Sequence, residues 1–237
     1  MNNQKQESKI ESDGSILEVH SIFKTIQGEG PFSGTPAIFV RLAGCNLQCK
    51  FCDTDYTSYR ANVSYLSISN DVIKLAENTI KLVVITGGEP FRQNITKLIE
   101  NLLRWNFFVQ IETNGTIEPP LEIVYNHNLS DRRGIYVVCS PKTLKLNSFY
   151  HKISCAFKYV LNHNHIADDG LPTSVLGLKG LMVARPNDYF RGLIYLSPED
   201  MGTINYKCSL NTEACIESCL KHGYILNLQI HKILRLQ

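Results

Sequence analysis

The sequence has little of what nucleic-acid-binding and membrane proteins need. It contains one tryptophan, no run of five lysine or arginine residues, and a formal net charge of only +2. Because the chain lacks a basic surface for gripping a phosphate backbone, we expect no nucleic-acid partner. No apolar stretch approaches the roughly 18 residues of a transmembrane helix, so we expect no membrane partner either.

The first 15 residues, MNNQKQESKIESDGS, contain no apolar core. Their mixture of charged and amide side chains predicts a disordered tail over residues 1–15 rather than an export signal. Residues 16–237 are then one domain, which is long enough for a sizeable core. Without an export signal we expect a cytoplasmic protein in which thiols stay reduced. The eight cysteines are therefore expected to be ligands or buried side chains rather than disulfides.

Beyond the tail, short apolar and β-branched segments alternate with amphipathic ones. This alternation predicts an α/β fold in which parallel strands are joined by crossover helices. One helix is predicted over residues 94–105, and another from about Asn211, a good N-cap, to His222, with Gly223 ending it. The polar segment 162–174 is predicted to be a loop. Strands are predicted at residues 37–43, 81–86, 107–113, 134–140, 155–161, 192–197 and 224–230.

Polar motifs follow five of the predicted strands. Because the carboxyl ends of parallel strands meet at one edge of a sheet or barrel, and ligands bind there, we expect one site built from five loops. In chain order the motifs are GCNLQCKFCDT (44–54), GGEP (87–90), NGT (114–116), SPK (140–142) and SPED (197–200).

Three cysteines in the first loop, Cys45, Cys49 and Cys52, have the spacing C-x3-C-x2-C. A disulfide would leave one thiol over and suits an oxidising compartment. A structural zinc ion needs four ligands, and the nearest later Cys or His is His127, with no second knuckle to complete a compact site. An iron-sulfur cluster held by three thiolates would leave one of its four irons without a protein ligand. The spacing favours the cluster and leaves the other two interpretations open.

The cysteine spacing resembles that of the radical S-adenosylmethionine (SAM) superfamily. The resemblance implies that the open iron of a 4Fe-4S cluster chelates SAM, and that reductive cleavage of the sulfonium yields a carbon radical that abstracts hydrogen from substrate. TGGEP, at the end of the next strand, is similar to the superfamily motif for the SAM amino group, with Glu89 as an acceptor. Alone, Gly-Gly-Glu is more often a tight turn.

Longer blocks carry a narrower resemblance. Residues 25–54, TGGEP, IETNGT (111–116), CSPK (139–142) and LQIHKILRLQ (228–237) together resemble the 7-carboxy-7-deazaguanine synthase family over about residues 20–237. The resemblance implies a partial (β/α)6 TIM-like barrel of the radical SAM type with a reduced core, so that residues 16–237 are the catalytic domain.

The same resemblance implies a carbon-nitrogen lyase of 7-deazapurine and queuosine biosynthesis. Its substrate would be 6-carboxy-5,6,7,8-tetrahydropterin, which is ring-contracted to 7-carboxy-7-deazaguanine with loss of ammonia and with the help of Mg²⁺. An electron donor such as flavodoxin and a homodimer are implied as well.

SAM contacts are implied for residues in four of the five loops. The chain departs from the family at Ser197, where many members have glutamine, so this shorter side chain would reach the same SAM group through a water. The implied SAM contacts are Phe51, Cys52, Asp53, Gly88, Glu89, Ser140, Pro141, Lys142, Ser197, Pro198, Glu199 and Asp200.

The implied pterin site draws on both ends of the chain. Arg41, in an otherwise apolar strand, offers a planar fork for a carboxylate, with a surface arginine as the alternative. Thr54 would be the Mg²⁺ ligand, although an isolated Asp-Thr pair more often caps a turn. His231 would face the substrate or simply pack within a strand. The other implied substrate contacts are Ile26, Gln27, Gly28, Thr86 and the terminal carboxylate of Gln237.

Two other functions stay open at this point. A radical SAM activase, which makes a glycyl radical on a partner protein, would share the cysteines and SAM loops but needs no pterin pocket. A non-catalytic zinc or iron-sulfur module that docks partners is the alternative outside enzymes. The cysteines beyond the motif, Cys139, Cys155, Cys208, Cys215 and Cys219, are expected to be structural.

Overall fold

The structure is a computed structural model. It describes residues 4–50, 52–120, 134–177, 182–199 and 209–236. Within these ranges, no helix has both the length and the apolar character that crossing a membrane requires. Phe51, His127, Asp200, Cys208 and Gln237, which figure in the predictions above, lie outside the described residues.

The described residues form one mixed sheet of nine strands. They are β1 (Ile16–Ile26), β2 (Pro36–Leu42), β3 (Ala61–Ser64), β4 (Leu82–Gly87), β5 (Phe108–Thr113), β6 (Ile135–Cys139), β7 (Ser154–Leu161), β8 (Leu193–Pro198) and β9 (Ile225–Leu226). The spatial order is β3-β1-β2-β4-β5-β6-β7-β8-β9. Each neighbouring pair from β2 to β9 is parallel, whereas β1 is antiparallel to both β2 and β3. The sheet is unclosed, with β3 and β9 at its edges.

The predicted α/β class and the seven predicted strands are confirmed, and the open sheet agrees with a partial barrel. The strand predicted over residues 224–230 is too long, because β9 ends at Leu226 and a helical turn follows from Ile230. Two strands were not predicted. Of these, β1 forms an antiparallel hairpin with β2, and it also pairs with the short β3, which precedes the first helix.

Five α-helical segments occur in the described residues: α1 (Tyr65–Ala76), α2 (Thr96–Arg104), α3 (Tyr150–Ile153), α4 (Leu210–His222) and α5 (Ile230–Ile233). The predicted helix over 94–105 corresponds to α2, whose Leu98 and Leu102 are fully buried. Helix α4 ends at Gly223 in the left-handed region, as predicted. Its predicted N-cap is wrong: Ser209 holds that position, because the Asn211 side chain inside the helix bonds the His163 amide and the Glu199 carbonyl, each at 2.9 Å.

Alternation along the strands sorts the side chains onto two faces of the sheet. Successive residues of a strand point to opposite faces, and in β2 Val40 belongs to the large apolar core that the helices cover. Arg41 on the same strand therefore points to the other face of the sheet, where it lines a large cavity. Thr86 of β4, Glu112 of β5 and Lys158 of β7 share that face. The fold thus collects polar side chains from four parallel strands.

The segment before β1, for which the composition predicts disorder, makes specific contacts over its described residues 4–15. The Glu7 amide donates to the Cys45 carbonyl at 2.8 Å, and the Glu7 carboxylate pairs with Arg60. Farther along, Lys97 pairs with Asp13 at 2.8 Å. Polar and ionic partners therefore hold this segment, although it has few apolar side chains to bury.

Candidate active site

A cavity of about 980 Å³ lies at the carboxyl ends of the parallel strands. It is lined by residues from the loops after β2, β4, β5 and β6, by Ser197 and Pro198 at the end of β8 rather than in the loop after it, and by the C-terminal segment. The predicted site residues on its wall are Ile26, Gln27, Arg41, Cys45, Cys49, Cys52, Asp53, Thr54, Thr86, Gly88, Ser140, Lys142, Ser197, Pro198 and His231. Gly28, Glu89, Pro141 and Glu199 are described residues that do not line it.

The three motif cysteines all face this cavity and form no disulfide. Burial raises the pKa of Cys45 to about 12 and that of Cys49 to about 11, and it also raises the pKa of Cys52. The charges of the neighbouring thiolates contribute in the same direction, which places the three sulfurs close to one another. Ionising three buried thiols whose pKa values are raised in this way needs a cationic ligand beside them.

The donor set fits an iron-sulfur cluster. Among the described residues, no group of three or more His, Cys, Asp or Glu side chains is arranged to hold a single metal ion. A 4Fe-4S cluster is wider than one ion and binds each thiolate through a different iron, so its ligands stand farther apart. Lys142 adds a cation beside these thiols. Burial lowers the pKa of Lys142, and the Cys49 charge offsets part of that shift.

The glycines of TGGEP let the backbone pack on the cysteine loop. A Cβ on Gly88 would lie only 1.8 Å from the Gly44 carbonyl oxygen, so no other residue fits without a shift. The Gly88 amide donates to the Leu42 carbonyl at 3.1 Å, and the Glu89 amide donates to the Gly44 carbonyl at 3.0 Å. The motif thereby fixes the start of the cysteine loop against the end of β4.

Glu89 points into the protein rather than into the cavity. Its carboxylate accepts from the Thr113 hydroxyl at 2.7 Å, the Asn114 amide at 2.8 Å and the Phe91 amide at 3.1 Å. Burial outweighs these hydrogen bonds and raises the pKa of Glu89 to about 7. With its oxygens held in this way, Glu89 joins the ends of β4 and β5, and its contact with SAM stays a prediction.

Arg41 lines the cavity and carries a buried, unsatisfied donor. Its guanidinium lies 5.2 Å from the ring centroid of Phe23, and its Nε is buried without a hydrogen-bond partner in the described part of the chain. Burial lowers its pKa, while the charges of Asp53 and Glu112 oppose that shift. A buried donor left unpaired costs about 1–3 kcal/mol, so Arg41 lacks a partner that a folded protein usually supplies.

Opposite charges line the cavity beside Arg41. Lys158 of β7 forms an ion pair with Glu29 and lies 3.9 Å from Glu112 of β5. Glu112 accepts hydrogen bonds from Gln27 at 3.0 Å and from the Thr86 hydroxyl at 3.3 Å. Glu29, Glu112 and Lys158 are not among the site residues predicted from the sequence. The signal was present in Glu112 and Lys158, since a charged side chain in an otherwise apolar strand must point away from the core.

The C-terminal segment closes the same side of the cavity. Lys232 pairs with Asp53 at 2.6 Å, and Gln229 donates to Asp53 at 3.3 Å. These contacts outweigh partial burial and lower the pKa of Asp53 to about 2. The neighbouring Thr54 hydroxyl donates to Asp53 at 3.4 Å and lines the cavity. His231, predicted within a strand, lies instead in α5.

Known proteins are similar to this chain over most of its length. The profile of the Radical SAM superfamily matches residues 40–129. A 7-carboxy-7-deazaguanine synthase from Rickettsia prowazekii (strain Madrid E) is 37% identical over 242 residues, which cover 97% of this chain and 93% of that protein. Another from Rhodospirillum rubrum is 37% identical over 233 residues and covers 94% of both chains. The chain belongs to the 7-carboxy-7-deazaguanine synthase family.

A solved structure of the family supports the fold. The crystal structure of QueE from Escherichia coli is 26% identical in sequence, has a TM-score of 0.61, and covers 90% of this chain and 94% of that one. The predicted partial barrel of the radical SAM type is therefore confirmed.

Ser197 marks where this member of the 7-carboxy-7-deazaguanine synthase family departs from the expected glutamine. Its hydroxyl is buried and accepts from the Asn227 amide nitrogen at 2.7 Å. The Asn227 side chain also accepts from the Gly30 amide at 2.7 Å, so Ser197 belongs to a network that joins β8, β9 and the turn after β1. Glu199 is held by Asn162 outside the cavity lining. A role in SAM binding stays a prediction for both residues.

Cysteines beyond the motif do not line the cavity in the described residues. Cys139 and Cys215 are fully buried among apolar side chains of the core. Cys155 donates to the Val137 carbonyl at 3.3 Å, and Cys219 packs at the edge of the core. Their surroundings agree with the structural role expected for them.

Proposed function

We propose that this chain converts 6-carboxy-5,6,7,8-tetrahydropterin into 7-carboxy-7-deazaguanine with loss of ammonia, as a radical SAM lyase of 7-deazapurine and queuosine biosynthesis. The observation that carries the proposal is that one cavity is lined both by Arg41, whose buried Nε has no hydrogen-bond partner in the described part of the chain, and by the three motif cysteines. A carboxylated substrate on Arg41 would therefore lie within the space that the cysteine loop encloses.

Cys45, Cys49 and Cys52 would hold the 4Fe-4S cluster and leave one iron for SAM. When bound, the cluster and SAM supply reductive cleavage of a sulfonium and a hydrogen-abstracting carbon radical. The chain binds and shields these groups. Ser140 and Lys142 follow β6 at the cavity wall, where the Lys142 ammonium donates to the Ser140 carbonyl at 2.9 Å. A positive charge so placed balances the charge of the thiolates.

The pterin would be held between Arg41 and the acidic wall. Arg41 offers its fork to the substrate carboxylate, while the ionised oxygens of Glu112 and the amide of Gln27 offer acceptors and donors to the amino and lactam edge. Lys158 lowers the pKa of Glu29 and so keeps that carboxylate an acceptor, and the Lys158 ammonium lies 3.9 Å from Glu112. The two ends of the pterin thus meet groups of opposite charge, which fixes its orientation.

Thr54 is the proposed Mg²⁺ ligand. Mg²⁺ prefers oxygen ligands and commonly retains waters while it contacts the substrate, so one side-chain hydroxyl is sufficient on the protein side. Asp53 is engaged by Lys232 and Gln229 and is therefore less available than Thr54. An electron donor such as flavodoxin, a homodimer and a cytoplasmic location complete the proposal on the basis of the family resemblance.

The test is direct conversion under anaerobic conditions. Reconstituted protein, a chemical reductant, SAM, Mg²⁺ and the carboxypterin should give the deazaguanine by mass spectrometry, and the protein should be brown. A colourless zinc-loaded protein, or SAM cleavage without a deazaguanine product, would contradict the proposal.

Arg41→Lys is the matched variant, because it keeps the charge and removes the planar fork. It should retain slow SAM cleavage without substrate and raise KM for the carboxypterin at least about tenfold, the factor for the loss of roughly 1.4 kcal/mol. An unchanged KM would remove Arg41 from the substrate site.

A further inference from the structure

The loop that carries the three cysteines closes on itself at a neck. There the Gly44 amide donates to the Tyr56 carbonyl at 3.2 Å, so the chain enters and leaves the loop at one place. Apart from an isolated bridge at Cys45, the described residues between them form no helix or strand. Backbone groups at the neck must therefore find partners elsewhere, since few stay unpaired in a folded protein.

The partners come from residues 4–10, which we call the N-terminal strap. Gln6 forms a parallel bridge with Cys45, and the Glu7 amide donates to the Cys45 carbonyl at 2.8 Å. The neck has two arms, one where the chain enters the loop at Cys45 and one where it leaves the loop at Thr54 to Tyr56, and Gln4 bonds the second arm. Its Nε2 donates to the Thr54 carbonyl at 3.1 Å, and its Oε1 accepts from the Tyr56 amide at 3.1 Å.

Gln4 makes one further contact on the same arm, where its Oε1 accepts from the Thr57 hydroxyl at 2.9 Å. The Gln4 side chain thus bonds Thr54, Tyr56 and Thr57, where the chain leaves the loop. The Glu7 backbone bonds Cys45, where the chain enters it. The strap therefore ties the two arms of the neck together.

An ionic anchor holds the strap at Glu7. The Glu7 carboxylate accepts from the two terminal guanidinium nitrogens of Arg60, at 2.5 and 2.9 Å, and lies 3.3 Å from Arg92. Arg92 is 2% exposed and donates to the Ala43 carbonyl at 3.0 Å. It also packs on Gly44, where a Cβ would lie 2.5 Å from the guanidinium. The anchor thus reaches the base of the cysteine loop.

We propose that the N-terminal strap is a positioning element of the active site, in which Gln4 and Glu7 hold the two arms of the cysteine loop at the spacing that its ligands require. The inference rests on the proposed function for the identity of those ligands, and on the contacts above for the clamp itself. Cys45 on one arm and Thr54 on the other are the proposed cluster and magnesium residues, and a strap residue bonds the backbone of each.

The physical reason is the entropy of the loop. A segment of this length without secondary structure samples many shapes, and each extra bond at the neck removes part of that freedom before a ligand binds. One hydrogen bond changes the equilibrium constant between the closed and the open loop by about fivefold. Loss of the three bonds to Gln4 should therefore raise the fraction of molecules in which the outgoing arm is open at least about tenfold.

The first experiment uses metal-free full-length protein and measures hydrogen exchange of the Tyr56 amide. Gln4→Leu should raise its exchange rate at least about tenfold. Gln4→Glu keeps the oxygen that accepts from Tyr56 and Thr57 but loses the donor to the Thr54 carbonyl, so its Tyr56 exchange rate should lie between those of the wild type and Gln4→Leu. The matched control is Lys5→Ala, because Lys5 is the next residue and is exposed. Equal Tyr56 exchange in Gln4→Leu and Lys5→Ala would overturn the proposal.

The second experiment measures iron release from the reconstituted protein to a chelator. Glu7→Gln and Gln4→Leu should lose iron at least about fivefold faster than Lys5→Ala, with thermal unfolding of the metal-free core changed by no more than a few degrees. If the core itself is lost in Glu7→Gln, the exchange result for the Gln4 pair decides. Equal iron release in all variants would also overturn the clamp.

These outcomes separate the strap from the proposed function. If the wild-type protein takes up no iron, the proposed cluster is contradicted, and the exchange measurement still tests the strap. If the reconstituted wild type is brown and Gln4→Leu leaves Tyr56 exchange unchanged, the positioning role of the strap is contradicted and the lyase proposal still stands.

Discussion

Gly28 lies directly against the imidazole of His231, and a Cβ on Gly28 would stand 2.0 Å from Nδ1 of that ring. The Ile230 amide also donates to the Gly28 carbonyl at 3.3 Å, so the turn after β1 and helix α5 are joined at this point. Gly28 itself does not line the cavity, whereas His231 does. The glycine therefore acts on the site through the position of the histidine ring.

Replacing Gly28 by alanine should displace His231 and damage pterin binding. We expect KM for the carboxypterin to rise at least about tenfold, which corresponds to roughly 1.4 kcal/mol, because the ring has to move by more than an ångström to admit the methyl group. SAM cleavage in the absence of substrate should stay within about twofold, since the atoms nearest the added methyl group belong to His231 and not to the cysteine loop. Steady-state kinetics of Gly28→Ala measure both quantities.

A double-mutant cycle supplies the control. His231→Ala removes the ring, so adding Gly28→Ala to it should cost little beyond the single histidine change. Additive losses would mean that the alanine acts on the backbone of the turn rather than on the ring.

The side of the sheet that carries the site follows from the sequence by alternation. Apolar Val40 and Ile85 mark the core face of their strands, and this pattern points the polar Arg41 and Thr86 to the opposite face. The same reasoning extends to Lys158 within CAFKYVL. Strand order and register bring these residues from separate strands to one cavity, and Arg41 is directly paired with Thr86 in the parallel register.

Other features depend on contacts that no local pattern encodes. The composition of residues 4–10 predicts disorder, whereas this segment bonds Cys45 and Thr54 and pairs through Glu7 with Arg60 and Arg92, all of them distant in sequence. The motif around Glu89 predicts a ligand residue, yet the Glu89 carboxylate points inward and accepts hydrogen bonds from donors at the end of the following strand. Tertiary hydrogen bonding decides both cases.

Cys49→Ala should abolish cluster retention and SAM cleavage. Two thiolates cannot replace three in holding a cluster with one open iron, so we expect the iron content to fall severalfold and 5′-deoxyadenosine to be undetectable after anaerobic reconstitution. Cys219→Ala is the matched control, because Cys219 lies at the edge of the apolar core and away from the cavity lining. Persistent 5′-deoxyadenosine formation in Cys49→Ala would contradict the cluster assignment.

Thr54→Ala should weaken the magnesium dependence of turnover. Loss of the only proposed protein oxygen ligand should raise the Mg²⁺ concentration for half-maximal activity by about tenfold or more, whereas Thr54→Ser keeps the hydroxyl and should stay near the wild type. Titration of Mg²⁺ at saturating SAM separates the variants. An identical magnesium curve for Thr54→Ala and Thr54→Ser would remove Thr54 from the metal site.

Lys158→Met should destabilise the metal-free protein in a pH-dependent way. Lys158 and Glu29 are each 8% exposed, and the change leaves Glu29 buried without its cation, which costs about 3–5 kcal/mol near neutral pH. Lys158→Arg keeps the charge and should cost less. Urea unfolding followed at several pH values measures the difference.

The sign follows from the pKa of Glu29. Burial alone would raise it, but Lys158 outweighs burial and lowers it below the ordinary value of 4.5. In the wild type this stabilisation is therefore present above pH 4.5 and is lost as the pH falls through the lowered pKa of the folded state. In Lys158→Met the buried carboxyl prefers its proton, so the variant gains stability relative to the wild type as the pH falls. The deficit should thus narrow towards acid pH, and a deficit independent of pH would mean that Lys158 contributes through packing and not through its charge.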